Sequence, residues 1–214
     1  TIAVLAAVVH QARTGEGQSI DMALFDCQAA ALANQATNFL IGGMVPTRLG
    51  NAHPNIVPYQ VFATRDGHLI LATSNDKQFR RFAKLAGLEA FAEDARFATN
   101  AARVAHRELV VATLKPVFAT RTTAEWITAL EAANVPCGPI NRVDQVFADP
   151  QAIARGLTIA VQHAAAGEMH LPASPLRLSR TPPEYRSAPP LLGEHNREVL
   201  TGLLGLSVED VASL

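Results

Sequence analysis

Cysteine is scarce: Cys27 and Cys137 are the only two in 214 residues. Two thiols make no disulfide framework, so a reducing, cytoplasmic setting is the default expectation. No block of Lys or Arg runs along the chain, and the formal net charge is -1. A basic stripe of the kind that tracks phosphates is therefore lacking, and nucleic acid is not an expected partner. No stretch reaches the roughly 20 apolar residues of a membrane span, so no membrane is expected either. The apolar run from Ile2 to Val9 is too short, and no basic segment precedes it as in a secretory signal. None of the 7 histidines pairs with another at zinc-motif spacing, so no metal is expected. Internal repeats and low-complexity tracts are also missing.

What is present fits a globular chain. Hydrophobic residues make up 49 %, and the length suits one large domain or two small ones with a real core. The first helix should run from the apolar start to Arg13 and stop at Gly15. It is apolar nearly all round, so it needs a protein partner to cover it. A turn at 15–18 and a short strand at 19–22 should follow, then an Ala-rich helix over 23–40. Residues 59–64 and 68–73 flank Arg65-Asp66-Gly67, a strong hairpin signal.

Helices should dominate the middle. Asn75 or Asp76 caps one to about Ala86, and Asn100 caps another to about Phe118. Thr122-Thr123-Ala124-Glu125 resembles a capping box opening a helix to about Ala133. The Pro- and Gly-rich run 134–140 should break the pattern. Two short helices near 143–148 and 150–155 and two strands at 157–162 and 169–171 come next. Residues 173–190, rich in proline, read as an extended connector. Residues 191–196 lead into a helix through Leu203, and Ser207 caps the last one.

The most distinctive stretch is Arg48-Leu49-Gly50-Asn51-Ala52-His53-Pro54-Asn55-Ile56-Val57-Pro58-Tyr59. Gly50 can take backbone angles closed to other residues. Pro54 and Pro58 each fix one φ and push His53 and Val57 toward extended geometry. A stiff loop that aims polar groups outward is expected, and such loops carry function more often than packing.

Four segments in order resemble the class III CoA-transferases, the family that also includes α-methylacyl-CoA racemases. They are Arg13-Thr14-Gly15-Glu16-Gly17-Gln18 with Ser19-Ile20-Asp21; Gly50-Asn51-Ala52-His53-Pro54 with Pro58-Tyr59; Val135-Pro136-Cys137-Gly138-Pro139; and Pro189-Pro190-Leu191-Leu192-Gly193-Glu194-His195. Together they cover nearly the whole chain. The resemblance implies an α/β fold: part of an open-sheet CoA-binding domain plus a smaller α+β domain, from an interlocked dimer. On that pattern residues 1–45 form a helix-strand-helix of the large domain and a linker. Residues 46–164 form the small domain, and 165–214 a connector returning to the large one.

Members of that family are about twice as long, and the resemblance places this chain in their C-terminal half. The N-terminal half would supply most of the CoA site and the catalytic aspartate. That carboxylate attacks the thioester and passes through anhydride and enzyme-thioester intermediates. Among the aspartates here, Asp21 lies in a strand-like run, Asp26 in a helix and Asp66 in a hairpin turn, and the others read as caps or loop residues. No catalytic residue is assigned to this chain, which alone should be inactive. The implied substrates are an acyl-CoA and a carboxylate, with coenzyme A a substrate and no permanently bound cofactor. The implied partner is a second copy, or the N-terminal half in trans. Two alternatives stand beside this reading: a racemase or isomerase acting on an acyl-CoA, and a silent truncated or complementing subunit.

The residues implied to bind substrate are Gly50, Asn51, His53, Asn55 and Tyr59. His53 would hydrogen-bond a substrate carboxylate or a developing oxyanion; alternatively it ties the loop to its own backbone. Asn51 and Asn55 would offer amides to the thioester, or stabilise a turn. Gly50 allows close approach of a ligand, or is a plain turn glycine. Arg13, Arg48 and Arg180 would meet CoA phosphates, or form solvated faces. Cys137 has no basic neighbour in sequence and is read as a turn residue, not a nucleophile. His195 belongs to a helix start.

Overall fold

The computed structural model describes residues 1–213, in two compact units, Thr1–Ile140 and Asn141–Leu214. The first unit opens with α1 (Ile2–Thr14). It ends where Gly15 takes φ 79° and donates its N–H to the Gln11 carbonyl. α2 (Leu24–Ala31) and α3 (Asn34–Leu40) follow, and none of the three helices buries a residue. The single helix expected over 23–40 is therefore two. Ala33 takes φ 46°, which ends the hydrogen-bond ladder, and no buried face holds the two pieces in line. Residues 19–22 form no strand, because no described segment supplies a ladder for them.

The core of this unit is built on a three-stranded antiparallel sheet, β1 (Tyr59–Ala63), β2 (His68–Ala72) and β3 (Cys137–Pro139), with β2 in the middle. β1 and β2 form the expected hairpin, with Ala63 opposite His68 and the Thr64 N–H donating to the Gly67 carbonyl. Side chains alternate across a strand, so Leu69 and Leu71 both point into the core and are fully buried. β3 lies in the run expected only to break the chain. Two prolines are tolerated there because β3 is an edge strand that needs ladder bonds on one side only.

Helices cover the buried face. α4 (Asp76–Leu85) is capped by Asn75, whose side chain accepts from the Gln78 N–H, and it buries Phe79, Phe82 and Ala83 at helical spacing. α5 (Glu89–Glu93) is short. α8 (Thr123–Ala132) has the expected capping box between Thr122 and Glu125, and buries Trp126 and Leu130. The helix expected from Asn100 to Phe118 is broken at His106 into α6 (Asn100–Ala105) and α7 (Arg107–Phe118). His106 leaves helical angles, with φ −115°, and its Nδ1 lies 2.9 Å from the Ala102 carbonyl oxygen. The cap of α6 is Thr99 and not Asn100, whose amide is used elsewhere.

Phe118 stands at the centre of the core. Its ring centroid is 4.6 Å from Phe62, 5.5 Å from Phe82 and 5.0 Å from Trp126. The Trp126 indole N–H donates to the Phe118 carbonyl at 2.9 Å, so this buried ring leaves no donor unpaired. Each such fully buried aromatic or leucine contributes about 1.5–3 kcal/mol through the apolar area it removes from water.

The second unit holds α9 (Val143–Ala148), α10 (Pro150–Ala154) and a hairpin of β4 (Thr158–His163) and β5 (Gly167–Pro172). Residues 173–190 carry no helix or strand, as the prolines dictate. A π-helix (Glu198–Leu203) stands where a helix was expected, and α11 (Val208–Ala212) is capped by Ser207.

Asp94 is the acid whose titration this fold shifts most clearly. Hydrogen bonds from the Arg96 side chain and backbone, the former at 2.7 Å, hold its pKa at about 2, against 3.8 ordinarily. A lowered folded value means stability that is present above pH 3.8 and lost as pH falls toward 2. We expect Asp94→Asn to lower the melting temperature at pH 7, with the gap from wild type closing between those two pH values. Melting curves across pH 2–7 check this; a gap that stays constant across the range would contradict it.

Candidate functional site

The loop 48–59 begins with Gly50 at φ 61°, where a side chain would be strained although a Cβ there would meet no atom within 4 Å. It ends at a cis peptide between Val57 and Pro58. Between these points it is held from several elements. From α3, Asn38 and Asn55 exchange side-chain amide hydrogen bonds, both 3.1 Å. From α6, the Asn100 amide accepts from the Val57 N–H at 3.1 Å and donates to the Asn55 carbonyl at 2.8 Å. Beyond β2, Thr73 donates both its N–H and its hydroxyl to the Pro58 carbonyl. The Asn51 side-chain oxygen accepts from the Val61 N–H at 3.0 Å, which joins the loop to β1.

Arg103 is the deepest support. Its side chain is fully buried. Nε donates to the Val57 carbonyl at 2.6 Å, Nη1 to the Phe97 carbonyl at 2.8 Å, and Nη2 to the Asp76 carboxylate at 2.8 Å. The guanidinium also lies over the Phe79 ring, 4.2 Å from its centroid. Burial pushes its pKa down and Asp76 opposes that shift; a guanidinium keeps its proton all the same. Arg107 reaches the loop from α7, donating to the carbonyls of His53 and Pro54.

The five residues singled out from sequence are thus brought into one structure but put to different uses. Gly50 turns the chain. Asn51 and Asn55 spend amide groups on the fold. The Tyr59 carbonyl accepts from the His53 N–H at 2.9 Å, and the two rings stack with centroids 5.2 Å apart. His53 Nδ1 accepts from the Asn55 N–H at 3.1 Å. An accepting ring nitrogen carries no proton, so the neutral imidazole is an N–H donor at Nε2. Among the described residues that nitrogen has no hydrogen-bond partner. The arrangement therefore offers one oriented neutral donor on a braced loop.

The other candidates make none of these contacts. Arg13 ends α1, Arg48 makes none of these bonds, and Arg180 belongs to the second unit. Cys137 sits on β3, where burial and then the Glu131 charge push its thiol pKa up, away from the reactive thiolate. Among the aspartates, Asp66 accepts from Thr123, Asp76 from Arg103, Asp94 from Arg96, Asp144 from Arg142 and Asp210 from Ser207, while Asp149 caps a helix. No group of three or more His, Cys, Asp or Glu among the described residues is placed to hold a metal ion. No helix among them is long and apolar enough to cross a membrane. Sequence reasoning missed Asn38, Asn100, Arg103 and Arg107. The one local signal for the arginines was their four-residue spacing.

Comparison with known proteins places these features. A family model described as CoA-transferase family III matches residues 1–196. The succinate–glutarate CoA-transferase of Agrobacterium fabrum is 48% identical over 206 residues, covering 94% of this chain and 50% of the relative. The succinyl-CoA:glutarate CoA-transferase of Mus musculus is 37% identical over 202 residues, covering 94% and 46%. A crystal structure of a CaiB/BaiF family protein from Brucella suis matches with a TM-score of 0.75 and 44% identity, covering 94% of this chain and 52% of that one. The chain spans about half the length of the curated relatives it matches.

Removing the Arg103 guanidinium strands the buried carbonyls of Val57 and Phe97, while the half-exposed Asp76 carboxylate can be rehydrated. Arg103→Met should cost about 1–3 kcal/mol for each stranded carbonyl. Urea unfolding monitored by Trp126 fluorescence checks it; a loss under about 1 kcal/mol, the range of a surface pair, would contradict the account.

Proposed function

We propose, from the premise that this chain belongs to CoA-transferase family III, that it is the C-terminal portion of an enzyme moving CoA between an acyl-CoA and a carboxylic acid. The observation that carries the reading is the His53 Nε2–H, a neutral donor held on a braced loop. Residues 1–45 are taken as part of the CoA-binding domain, 46–164 as the small domain, and 165–214 as the return segment. Gly50, Asn51, Asn55 and Tyr59 shape the loop that faces substrate, and His53 touches it. CoA enters and leaves as substrate.

The attacking carboxylate lies outside these residues in this reading. It adds to the acyl carbonyl, the C–S bond breaks and CoA leaves as thiolate. The thiolate then opens the mixed anhydride at the enzyme's carbonyl, releasing the first carboxylic acid and leaving an enzyme thioester. The acceptor carboxylate repeats the sequence in reverse. Negative charge collects on a carbonyl oxygen at each addition, and a preoriented N–H donor lowers that barrier. Transfer is favoured over racemisation because the relatives quoted above are named for CoA transfer. Their names also make succinyl-CoA and glutarate the first substrates to try.

Association follows from exposed apolar surface. Leu24 is 89% and Phe25 83% exposed. A groove lined by Leu32, Phe39, Leu40 and Val45 is apolar but for Gln35. A second copy or the family's N-terminal half covers this face in the working enzyme, which we place in the cytoplasm.

The test uses an enzyme of the relatives' full length that carries this chain. His53→Ala should lower succinyl-CoA:glutarate turnover roughly 10²-fold, the loss typical of one preorganised donor, with little change in melting temperature. The 214 residues alone should give no transfer. Unchanged turnover in the variant, or an acyl-enzyme formed by the chain alone on one of its own carboxylates, would contradict the reading.

A further inference from the structure

Arg107 is a cation without an acid. Its Nη2 donates to the carbonyl oxygens of His53 at 2.9 Å and Pro54 at 2.7 Å. Its Nη1 is buried and has no hydrogen-bond partner among the described residues. Among the described residues no carboxylate forms a salt bridge with it, whereas Arg103, one helical turn earlier in sequence, has Asp76. Burial pushes its pKa down with no opposing partner. A half-buried guanidinium with one buried, unpartnered nitrogen, set against carbonyl dipoles alone, is costly and needs a reason.

The reason runs through a single peptide plane. The Pro54 carbonyl and the Asn55 N–H belong to the same planar unit, and in a trans peptide they point in opposite directions. Fixing that carbonyl on Arg107 therefore fixes the aim of the Asn55 N–H. That N–H is the donor to His53 Nδ1. A cation on the carbonyl also polarises the amide, which makes its N–H a stronger donor. The second carbonyl on Arg107 is that of His53 itself, while the His53 N–H is held by Tyr59. The backbone is thus clamped on both sides of the ring.

We infer that Arg107 is a positioning residue for the transfer reaction: it holds the Pro54–Asn55 peptide so that the His53 proton resides on Nε2. The inference rests on the reading of His53 as the donor to the substrate oxygen. His163 supplies the contrast. Its Nδ1 also accepts backbone N–H groups, from Ala165 and Ala166 in the β4–β5 turn. No guanidinium donates to the carbonyls of that turn among the described residues, and His163 is an ordinary turn histidine.

The experiment compares wild type, Arg107→Met and Arg107→Lys in the full-length enzyme with succinyl-CoA and glutarate. It adds 15N spectra of the histidine rings, which distinguish the two tautomers. Wild type should show His53 protonated at Nε2. Arg107→Met should mix the tautomers and lower kcat by roughly tenfold to 10²-fold with KM little changed, the scale of a misplaced reactive group. Arg107→Lys keeps the charge and one donor, and should recover part of both. If Arg107→Met fails to fold, the lysine variant decides by an intermediate ring spectrum and kcat. A wild-type ring protonated at Nδ1, or a folded variant with wild-type tautomer and kcat, would overturn the inference. If the tautomer responds to Arg107 while His53→Ala leaves turnover unchanged, Arg107 sets the ring tautomer but its role in transfer falls with the substrate contact.

Discussion

A guanidinium carried into an apolar core must find every partner inside the protein, because water cannot reach it. Arg103 meets that condition with the Val57 and Phe97 carbonyls, the Asp76 carboxylate and the face of Phe79. The four partners come from three segments: the loop, the turn before α6, and α4, which supplies both Asp76 and Phe79. One side chain therefore ties the loop to the helical layer. The turn it holds is itself fastened, since the Phe97 N–H donates to the Asp94 carbonyl and Arg96 grips the Asp94 side chain. Loop placement and core packing are consequently one problem in this fold.

With the loop fixed from below, its polar side chains are held in one arrangement. Asn100 and Thr73 hold backbone groups of Asn55, Val57 and Pro58, and Asn38 holds the Asn55 side chain, so the loop has few ways to rearrange. His53 Nε2 is among the loop donors that have no hydrogen-bond partner among the described residues. A donor aimed before substrate arrives costs no reorganisation when charge develops, which suits acyl transfer. The apolar surface of residues 1–45 belongs to another requirement. It lies outside the core of the unit, and the family's relatives have roughly as much chain again with which such surface can pack.

Local signals were legible in the sequence. Asp66-Gly67 marks the hairpin, Thr122 with Glu125 marks the start of α8, and Gly15 marks the end of α1. The proline pattern of 48–59 shows a stiff loop. Long-range partners were not legible. Arg103 lies 46 residues from Val57 and Asn100 lies 45 from Asn55, and nothing local to either arginine or asparagine names its target. Asn100 looked like a helix cap because that is the usual employment of an asparagine before a helical run. β3 was hidden because prolines signal a break, and only the edge position makes them compatible with a strand. The family was legible from four motifs in order, whereas which of the five nominated residues meets substrate was not, because the partners that fix the loop lie far away in sequence.

The central claim is that the loop 53–58 is as firmly held as the core beneath it. Native-state hydrogen exchange of its amides measures this most directly. The account predicts that the N–H groups of His53, Asn55 and Val57 open only with the unfolding that also exposes Leu69 and Leu71, despite lying outside any helix or strand. Exchange of those three amides at the rates of free surface loops, while the β1–β2 hairpin stays protected, would contradict it.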